Sequence, residues 1–137
     1  MQTEIKITPH PIEPRCNIAK TKDTGALAEF SGIVRGEEND RTIAALEYEA
    51  YSPMAERVMK EIITELGSRH PCLAVHVEHR IGIIPVGETA IHIRVLSRHR
   101  AEAFAMLAGF MNRLKQDVPI WKRRALTGDE LAALKKH

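Results

Sequence analysis

Cysteine, aromatic residues and long apolar runs are all scarce in this chain of 137 residues. Its two cysteines, Cys16 and Cys72, form no CxxC pair and have no histidine at metal-ligand spacing, which argues against a disulfide scaffold or a structural zinc site. Reduced thiols are typical of the cytoplasm, so we expect that location. The sequence has no run of about 18 apolar residues and no secretory signal, so we expect neither a membrane span nor a membrane partner.

Few side chains are available on which nucleic-acid bases could stack. The chain has three Phe, two Tyr and one Trp, and we expect no nucleic-acid partner. Charge, however, is distributed unevenly. The segment 94–124 holds eight basic and two acidic residues, although the formal net charge of the whole chain is only +2. This segment is either a solvated basic helix face or a binding site for an anion.

The composition, 44% hydrophobic and 28% charged residues without repeats or linkers, indicates a single globular domain spanning 1–137. Alternating apolar residues predict strands, and apolar residues three and four apart predict helices. The predicted order is β–β–β–α–β–β–α–β–α, with strands at 4–8, 25–35, 42–51, 73–78, 89–97 and 120–124 and helices at 52–67, 100–117 and 129–136. Successive strands without helices between them exclude a doubly wound sheet. We therefore expect an α+β fold with a mostly antiparallel sheet and two main helices.

The same patterns make finer predictions. Strand 25–35 is apolar on both faces and is predicted to be central in its sheet. A later strand is predicted to turn His92 and Arg94 outwards, and Ser52 is predicted to cap the first helix. The loop 36–41 is polar and predicted to be mobile. The core-facing side of the second helix is predicted to consist of Phe104, Leu107, Ala108, Met111 and Leu114.

Chemistry is expected at cationic positions, because serine-nucleophile motifs, a Walker loop and a GxGxxG turn are absent. We expect no metal and no cofactor. His99 and Arg100 lie where a strand meets a helix, and the free backbone N–H groups there suit a phosphate or carboxylate; an ordinary helix start explains them equally well. Lys115 follows Met111 by one helical turn. It is either a reactive lysine or one that lays its stem along the core.

Two further positions flank predicted strands. Lys122 follows Trp121, which suits a cation–π pair, a pocket wall or ordinary packing. Arg35 ends a strand in which Gly32 indicates a close approach by backbone or ligand. The residue types alone leave these alternatives open.

Several short motifs occur in an order and spacing that are similar to those of one protein family. They are FSGIVR at 30–35, LEYEAY at 46–51, HRIG at 79–82, HR at 99–100 and PIWK at 119–122. Together they resemble the MoaE family, the large catalytic subunits of molybdopterin synthase, and the similarity is strongest over 25–124. The resemblance implies an α/β-hammerhead fold, with the C-terminal tail 125–137 expected to be mobile.

The resemblance implies a sulfurtransferase of molybdenum cofactor biosynthesis. In this family, sulfur passes from a thiocarboxylate at the C-terminal Gly-Gly of a small ubiquitin-like carrier subunit to cyclic pyranopterin monophosphate, which builds the dithiolene of molybdopterin. Large subunits form a homodimer with one carrier at each end, a heterotetramer overall. Since 137 residues leave no room for a fused carrier, we expect the carrier to be a separate chain.

The resemblance also implies roles for individual residues. Lys115 matches an essential lysine near the carrier's terminal glycine and Lys122 a second one, so both are expected to be catalytic. Phe30 and Met111 match pocket walls. Arg35, His99 and Arg100 match residues that hold the phosphate of the substrate, partly across the dimer interface. The other positions expected to bind the substrate are Ile33, Val34, Arg123 and Arg124.

One position departs from the family pattern, because Arg124 stands where a glutamate is usual. A carboxylate partner for the lysines would then come from Asp129 or Glu130, or is not needed. Arg124 favours a second hypothesis, in which the chain binds the carrier or the pterin without turnover. A third hypothesis is a nucleic-acid-binding module that uses the segment 94–124.

Overall fold

Runs of consecutive strands separate the helices in the computed structural model, which describes residues 1–13 and 20–136. Cys16, which contributed to the prediction of reduced thiols, lies outside the described residues. The elements in chain order are β1 Gln2–Thr8, β2 Ala26–Ile33, β3 Glu37–Glu38, β4 Arg41–Thr42, β5 Ala45–Ala50, α1 Ser52–Arg69, β6 Ala74–Arg80, β7 Gly82–Pro85, β8 Thr89–Ser97, α2 Arg100–Asp117, β9 Ile120–Leu126 and α3 Gly128–Lys135.

The strands form two main sheets. The larger has the order β1-β6-β8-β2, with β1 parallel to β6 and the other neighbours antiparallel. The smaller is antiparallel, with the order β7-β5-β9. The predicted α+β class, with mostly antiparallel pairing and two main helices, is confirmed. No helix in the described part of the chain is long and apolar enough to cross a membrane.

The main core lies between the larger sheet and helices α1 and α2. Its fully buried side chains include Met59, Ile63, Ile93, Met106 and Phe110. A second cluster packs the residue after β2 against the smaller sheet, and its members are Val34, Ile43, Leu46, Ile84 and Ala90. The two sheets therefore meet at the end of β2.

Helix α2 is apolar on more than one side, and the predicted core-facing side is wrong. Phe104 is 61% exposed, and Leu107 and Met111 are only half-buried. The residues of α2 that enter the core are Ala103, Met106, Phe110 and Leu114. Periodicity detects an apolar face but does not say which of two such faces will meet the sheet. The predicted face, apart from Leu114, lies at the surface.

Strand β2 lies at an edge of the larger sheet, so its predicted central position is also wrong. Leu27, Phe30 and Ile33 are exposed, although all three are large and apolar. The central place belongs to β8, which is buried over almost its whole length. An edge strand has unpaired backbone N–H and C=O groups on its outer side, and a strand of another chain can pair with them.

Local details differ from two further predictions. His92 and Arg94 lie on the face of β8 away from the core, as predicted, but they are buried rather than exposed to solvent, because side chains of the neighbouring strands cover them there. Helix α1 begins after Tyr51 without a side-chain cap, and Pro53 lies in its first turn. The proline supplies the start signal by itself, since its fixed φ and missing N–H suit that position.

The polar segment 36–41 forms most of a short hairpin instead of an irregular loop. Strand β3 pairs with β4, with Glu38 opposite Arg41. The two residues between them, Asn39 and Asp40, have φ values of 51° and 61°. Asn and Asp adopt this left-handed conformation more readily than most residues, which allows a tight two-residue connection.

We expect Phe110→Ala to lower the free energy of unfolding by about 3–5 kcal/mol, because it empties a fully buried position. Phe104→Ala removes the same side chain from an exposed position on the same helix and should cost less than about 0.5 kcal/mol. Urea denaturation followed by far-UV circular dichroism measures both variants. Equal losses would contradict this assignment of the two faces.

Candidate functional site

A cavity of about 510 Å³ opens where the two sheets meet α2. Its walls come from the end of β2, from β5, β6, β8, β9 and α2, and from the hairpin β3–β4. Most of the wall is apolar. The charged or hydrogen-bonding side chains that line it include Arg35, Glu38, Tyr48, His79, Lys115 and Lys122. Such a mixture of apolar wall and convergent polar groups is typical of a small-molecule site.

Residues from distant parts of the sequence meet in this cavity. Seven of the positions predicted for the site line it, namely Phe30, Ile33, Val34, Arg35, Met111, Lys115 and Lys122. Within the described residues, Arg35 and Lys115 form no side-chain ion pair, and both are exposed. Their charges are therefore available to an anionic ligand.

Irregularities in strand pairing direct side chains towards the cavity. The register between β2 and β8 shifts just after Gly32. The register between β5 and β9 shifts between Glu47 and Tyr48, which leaves Arg123 without a paired residue. Bulges of this kind bend a strand and re-aim its side chains. Lys122, opposite Tyr48, faces the cavity as a result.

Lys122 has an acidic partner inside the cavity. Its Nζ donates a hydrogen bond to Oε1 of Glu38 at 3.0 Å. Tyr48 lies beside this pair: burial raises the pKa of its hydroxyl, Lys122 lowers it and Glu38 raises it, with a net increase. The tyrosine hydroxyl therefore stays protonated at neutral pH and can donate a hydrogen bond to a ligand.

Glu130 is not the partner of the lysines that the sequence suggested. Its Oε1 accepts hydrogen bonds from Arg41 Nη2 at 2.7 Å and from the backbone N–H of Thr127 at 3.1 Å. The Thr127 hydroxyl in turn accepts from the backbone N–H of Glu130, which completes a capping box at the start of α3. The carboxylate comes from the hairpin instead, through Glu38.

His79 is a neutral imidazole in the wall of the cavity. Burial lowers its pKa, and a hydrogen bond with the Arg80 carbonyl raises it by less. Because a carbonyl only accepts, the 2.8 Å contact between Nδ1 of His79 and this oxygen requires the proton on Nδ1. Nε2 is then the unprotonated nitrogen and an acceptor. The ring also contacts Tyr48 edge-on, at 5.4 Å between centroids.

Arg123 and Arg124 lie outside the cavity wall and pair with strand β5. Arg123 Nη1 donates to Glu49 at 2.8 Å, and Arg124 Nε donates to Glu47 at 2.6 Å. Arg113, also in the basic segment, bonds to Glu65. Much of the positive charge of 94–124 is thus neutralised by acids from elsewhere in the chain.

His99 and Arg100 are also remote from this cavity. They follow β8 at the end where it pairs with the start of β2, since Ser97 lies opposite Ala26. The cavity lies at the other end of β2, and eight residues of extended strand span roughly 25 Å. Both residues are exposed. Within one chain, their side chains cannot reach Arg35 or Lys115.

A groove runs beside the cavity along the exposed side of α2. Phe104, Leu107, Ala108 and Asn112 line it, and it shares Phe30, Met111 and Lys115 with the cavity. Its volume is about 510 Å³. These shared residues make the groove and the cavity one continuous depression, with Lys115 at the junction.

Neither thiol chemistry nor a metal is indicated elsewhere in the described residues. Burial raises the pKa of the Cys72 thiol to about 11, with a smaller contribution from Glu102, so the thiol is protonated and a poor nucleophile. No cluster of three His, Cys, Asp or Glu side chains with metal-binding geometry occurs in 1–13 and 20–136.

Sequence reasoning missed three polar residues of the cavity wall: Glu38, Tyr48 and His79. Tyr48 and His79 belong to the LEYEAY and HRIG motifs, and that membership was the available signal. Glu38 lies in a polar segment with no pattern of its own, and only the fold brings it to Lys122.

The chain matches the MoaE protein family over residues 6–117. It belongs to that family. The molybdopterin synthase catalytic subunit of Arabidopsis thaliana is 41% identical over 107 residues, which cover 78% of this chain and 54% of that protein. The subunit of the same name from Thermoplasma volcanium is 36% identical over 128 residues, 92% of this chain and 93% of that protein. The chain thus spans about half of the first relative and nearly all of the second.

Similar solved structures support the same family assignment. Molybdopterin synthase from Staphylococcus aureus superposes with a TM-score of 0.83 at 32% identity, over 90% of this chain and 91% of that one. A complex of subunits 1 and 2 of molybdopterin-converting factor from Helicobacter pylori 26695 shares the fold, with a TM-score of 0.69 at 20% identity over 93% and 90% of the two chains. The MoaE resemblance is confirmed, and the family is one of enzyme subunits in molybdenum cofactor biosynthesis.

We expect the free energy of unfolding to fall as the pH drops below about 6.5, the ordinary histidine value. The pKa of His79 is lowered in the folded chain, and so is that of His92, so the unfolded chain takes up protons that the folded chain does not. Each histidine contributes at most about 1.4 kcal/mol per pH unit. Urea denaturation between pH 7.5 and 5.5 should show a shallower fall for His79→Gln than for the wild type. Identical slopes would contradict the burial of a neutral His79.

Proposed function

We propose that this MoaE-family chain is the catalytic subunit of molybdopterin synthase. In this role it transfers sulfur from the thiocarboxylated C-terminus of a small ubiquitin-like carrier to cyclic pyranopterin monophosphate. The observation that carries the proposal is the convergence of Arg35, Lys115 and Lys122 on one cavity with mainly apolar walls. The apolar wall suits a ring system, and the three cations suit anionic groups.

Electrostatics explains why this reaction needs several cations. The substrate carries a phosphate and the carrier brings a thiocarboxylate, so two anions must approach each other. Fixed positive charges offset their repulsion, and they act more strongly at a protein surface with apolar walls than in bulk water. Arg35 suits the phosphate, because a guanidinium binds it through two hydrogen bonds and stays charged.

Lys115 is placed to act on the acyl group of the carrier. The thiocarboxylate sulfur attacks an oxygen-bearing carbon of the pterin side chain. A carbon–sulfur bond forms, the carbon–oxygen bond at that carbon breaks, and the oxygen takes up a proton and leaves as water, so that a thioester joins carrier and pterin. Water then adds to the acyl carbon and the acyl–sulfur bond breaks. The sulfur stays on the pterin, and the carrier departs as a carboxylate. The Lys115 ammonium holds the thiocarboxylate by charge in the first step and stabilises the negative charge that develops on the acyl oxygen when water adds in the second. Lys122 binds the anion or moves a proton.

The groove along α2 is the route we assign to the carrier tail. It is apolar, it ends at Lys115, and it runs directly into the cavity. A flexible tail that ends in Gly-Gly is narrow enough to enter such a groove, because glycine has no side chain. The Helicobacter pylori neighbour is itself a complex of two subunits, in keeping with a small partner for this chain.

A homodimer would complete the site. The unpaired edge of β2 carries the exposed apolar residues Leu27, Phe30 and Ile33. A two-fold axis that sets two such edges side by side, running in opposite directions, brings the start of one β2 to the end of the other. The partner subunit's His99 and Arg100 then reach the phosphate end of the cavity near Arg35. With one carrier at each end, the assembly is a heterotetramer.

The contacts of the basic residues support this proposal over the two competing hypotheses. A chain that binds without turnover was favoured by Arg124, but Arg124 pairs with Glu47 outside the cavity, and Lys122 has a carboxylate in Glu38. A nucleic-acid module would need a continuous cationic surface, and salt bridges with Glu47, Glu49 and Glu65 interrupt it.

The activity and the shared site are tested with two variants. Each variant is incubated with thiocarboxylated carrier and cyclic pyranopterin monophosphate, and the dithiolene product is measured. Lys115→Ala and Arg100→Ala, each alone, should lose about 100-fold or more, because each removes a charge that stabilises the transition state. Lys60→Ala, an exposed lysine of α1 remote from the cavity, is the control and should retain full activity.

Refolding the two inactive variants together should restore about a quarter of wild-type activity. Half of the dimers are then mixed, and each mixed dimer has one site with both residues intact if Arg100 acts across the interface. If no activity is restored, Arg100 either acts in the same chain's site as Lys115 or takes no part in a site. No product from the wild type, with the carrier bound, would support the binding-only hypothesis.

A further inference from the structure

We propose that Glu38 is a positioning residue for Lys122, held at the cavity by the hairpin β3–β4. The inference rests on the proposed function, since it concerns how Lys122 is aimed for sulfur transfer. Its basis is the 3.0 Å hydrogen bond from Lys122 Nζ to Glu38 Oε1. Nothing in the family motifs includes this residue.

An acidic side chain in this cavity opposes the binding of anions. Among the residues described around the cavity, Glu38 is the only acidic one, beside the cations Arg35, Lys115 and Lys122. It repels a phosphate or a thiocarboxylate, so direct substrate binding does not explain its presence. Within the described residues, the Glu38 side chain has one hydrogen-bond partner, Lys122, and the role that fits this geometry is to act through that lysine.

Without a hydrogen-bond acceptor, little would hold the Lys122 ammonium in one position. The side chain is about half exposed, its stem has four rotatable bonds, and Arg35 and Lys115 repel it electrostatically. The Glu38 side chain is only 22% exposed, so it is the fixed member of the pair. A half-exposed ion pair contributes little to the free energy of unfolding. The main effect of this pair is therefore to fix the position of the Lys122 charge.

The hairpin explains why Glu38 is a fixed point. The tight turn through Asn39 and Asp40 sets Glu38 opposite Arg41. Because successive residues of a strand face opposite sides, Glu37 points away from the cavity while Glu38 faces it. Arg41 in turn bonds to Glu130 at the start of α3. The hairpin is thus tied to the C-terminal helix on one side and to Lys122 on the other.

The test compares Glu38→Gln with Glu37→Gln, which makes the same charge change at the neighbouring exposed position. With thiocarboxylated carrier and cyclic pyranopterin monophosphate, we expect Glu38→Gln to lower kcat about 10-fold while KM for the pterin changes less than about threefold, because a misplaced group costs rate rather than affinity. Glu38→Asp should recover part of the loss. Glu37→Gln should match the wild type, and far-UV circular dichroism should be unchanged in all three.

A double-mutant cycle separates positioning from a direct role. In a Lys122→Ala background, measured by single turnover, Glu38→Gln should cause no further loss, because its effect passes through the lysine. An additional 10-fold loss there, or a Glu38→Gln variant as active as Glu37→Gln, would overturn the inference. These outcomes require an active wild type; a wild type that forms no product overturns the proposed function itself.

Discussion

Three cationic side chains share one cavity, and their mutual repulsion is the constraint on which the site depends. Arg35, Lys115 and Lys122 come from the end of β2, from α2 and from β9. Like charges that line one cavity repel one another, and each anionic partner lowers that repulsion. Glu38 offsets one charge. The other two are left for anions that arrive from outside, which suits the phosphate and the thiocarboxylate of the proposed reaction.

The rest of the fold supplies rigid points for these charges. The two sheets meet at the end of β2, and the register shifts there and in β9 aim side chains into the junction. Helix α2 packs one apolar side into the core and leaves another along the groove. The same helix therefore anchors the fold through Phe110 and forms the site through Met111 and Lys115.

Much of this arrangement could be predicted from the sequence, because strand and helix periods and short motifs are local. The order of the long strands and helices and the residues Arg35, Lys115 and Lys122 follow from them, whereas the short strands β3, β4 and β7 were not predicted. The position of β2 could not be predicted, since an apolar strand has the same sequence pattern at the edge of a sheet as in its middle. Phe104 was assigned to the core for the same reason. Glu38 was missed because its role arises only when a polar hairpin folds back over β9, 84 residues away along the chain.

The central claim is that this cavity is an anion-binding site for a pterin phosphate, and calorimetric titration with cyclic pyranopterin monophosphate at several salt concentrations tests it most directly. We expect one molecule bound per chain, with an affinity that falls as salt rises and is lost in Arg35→Ala, because fixed charges hold the phosphate. An affinity that does not change with salt or in Arg35→Ala, or no binding to the wild type, would contradict the account.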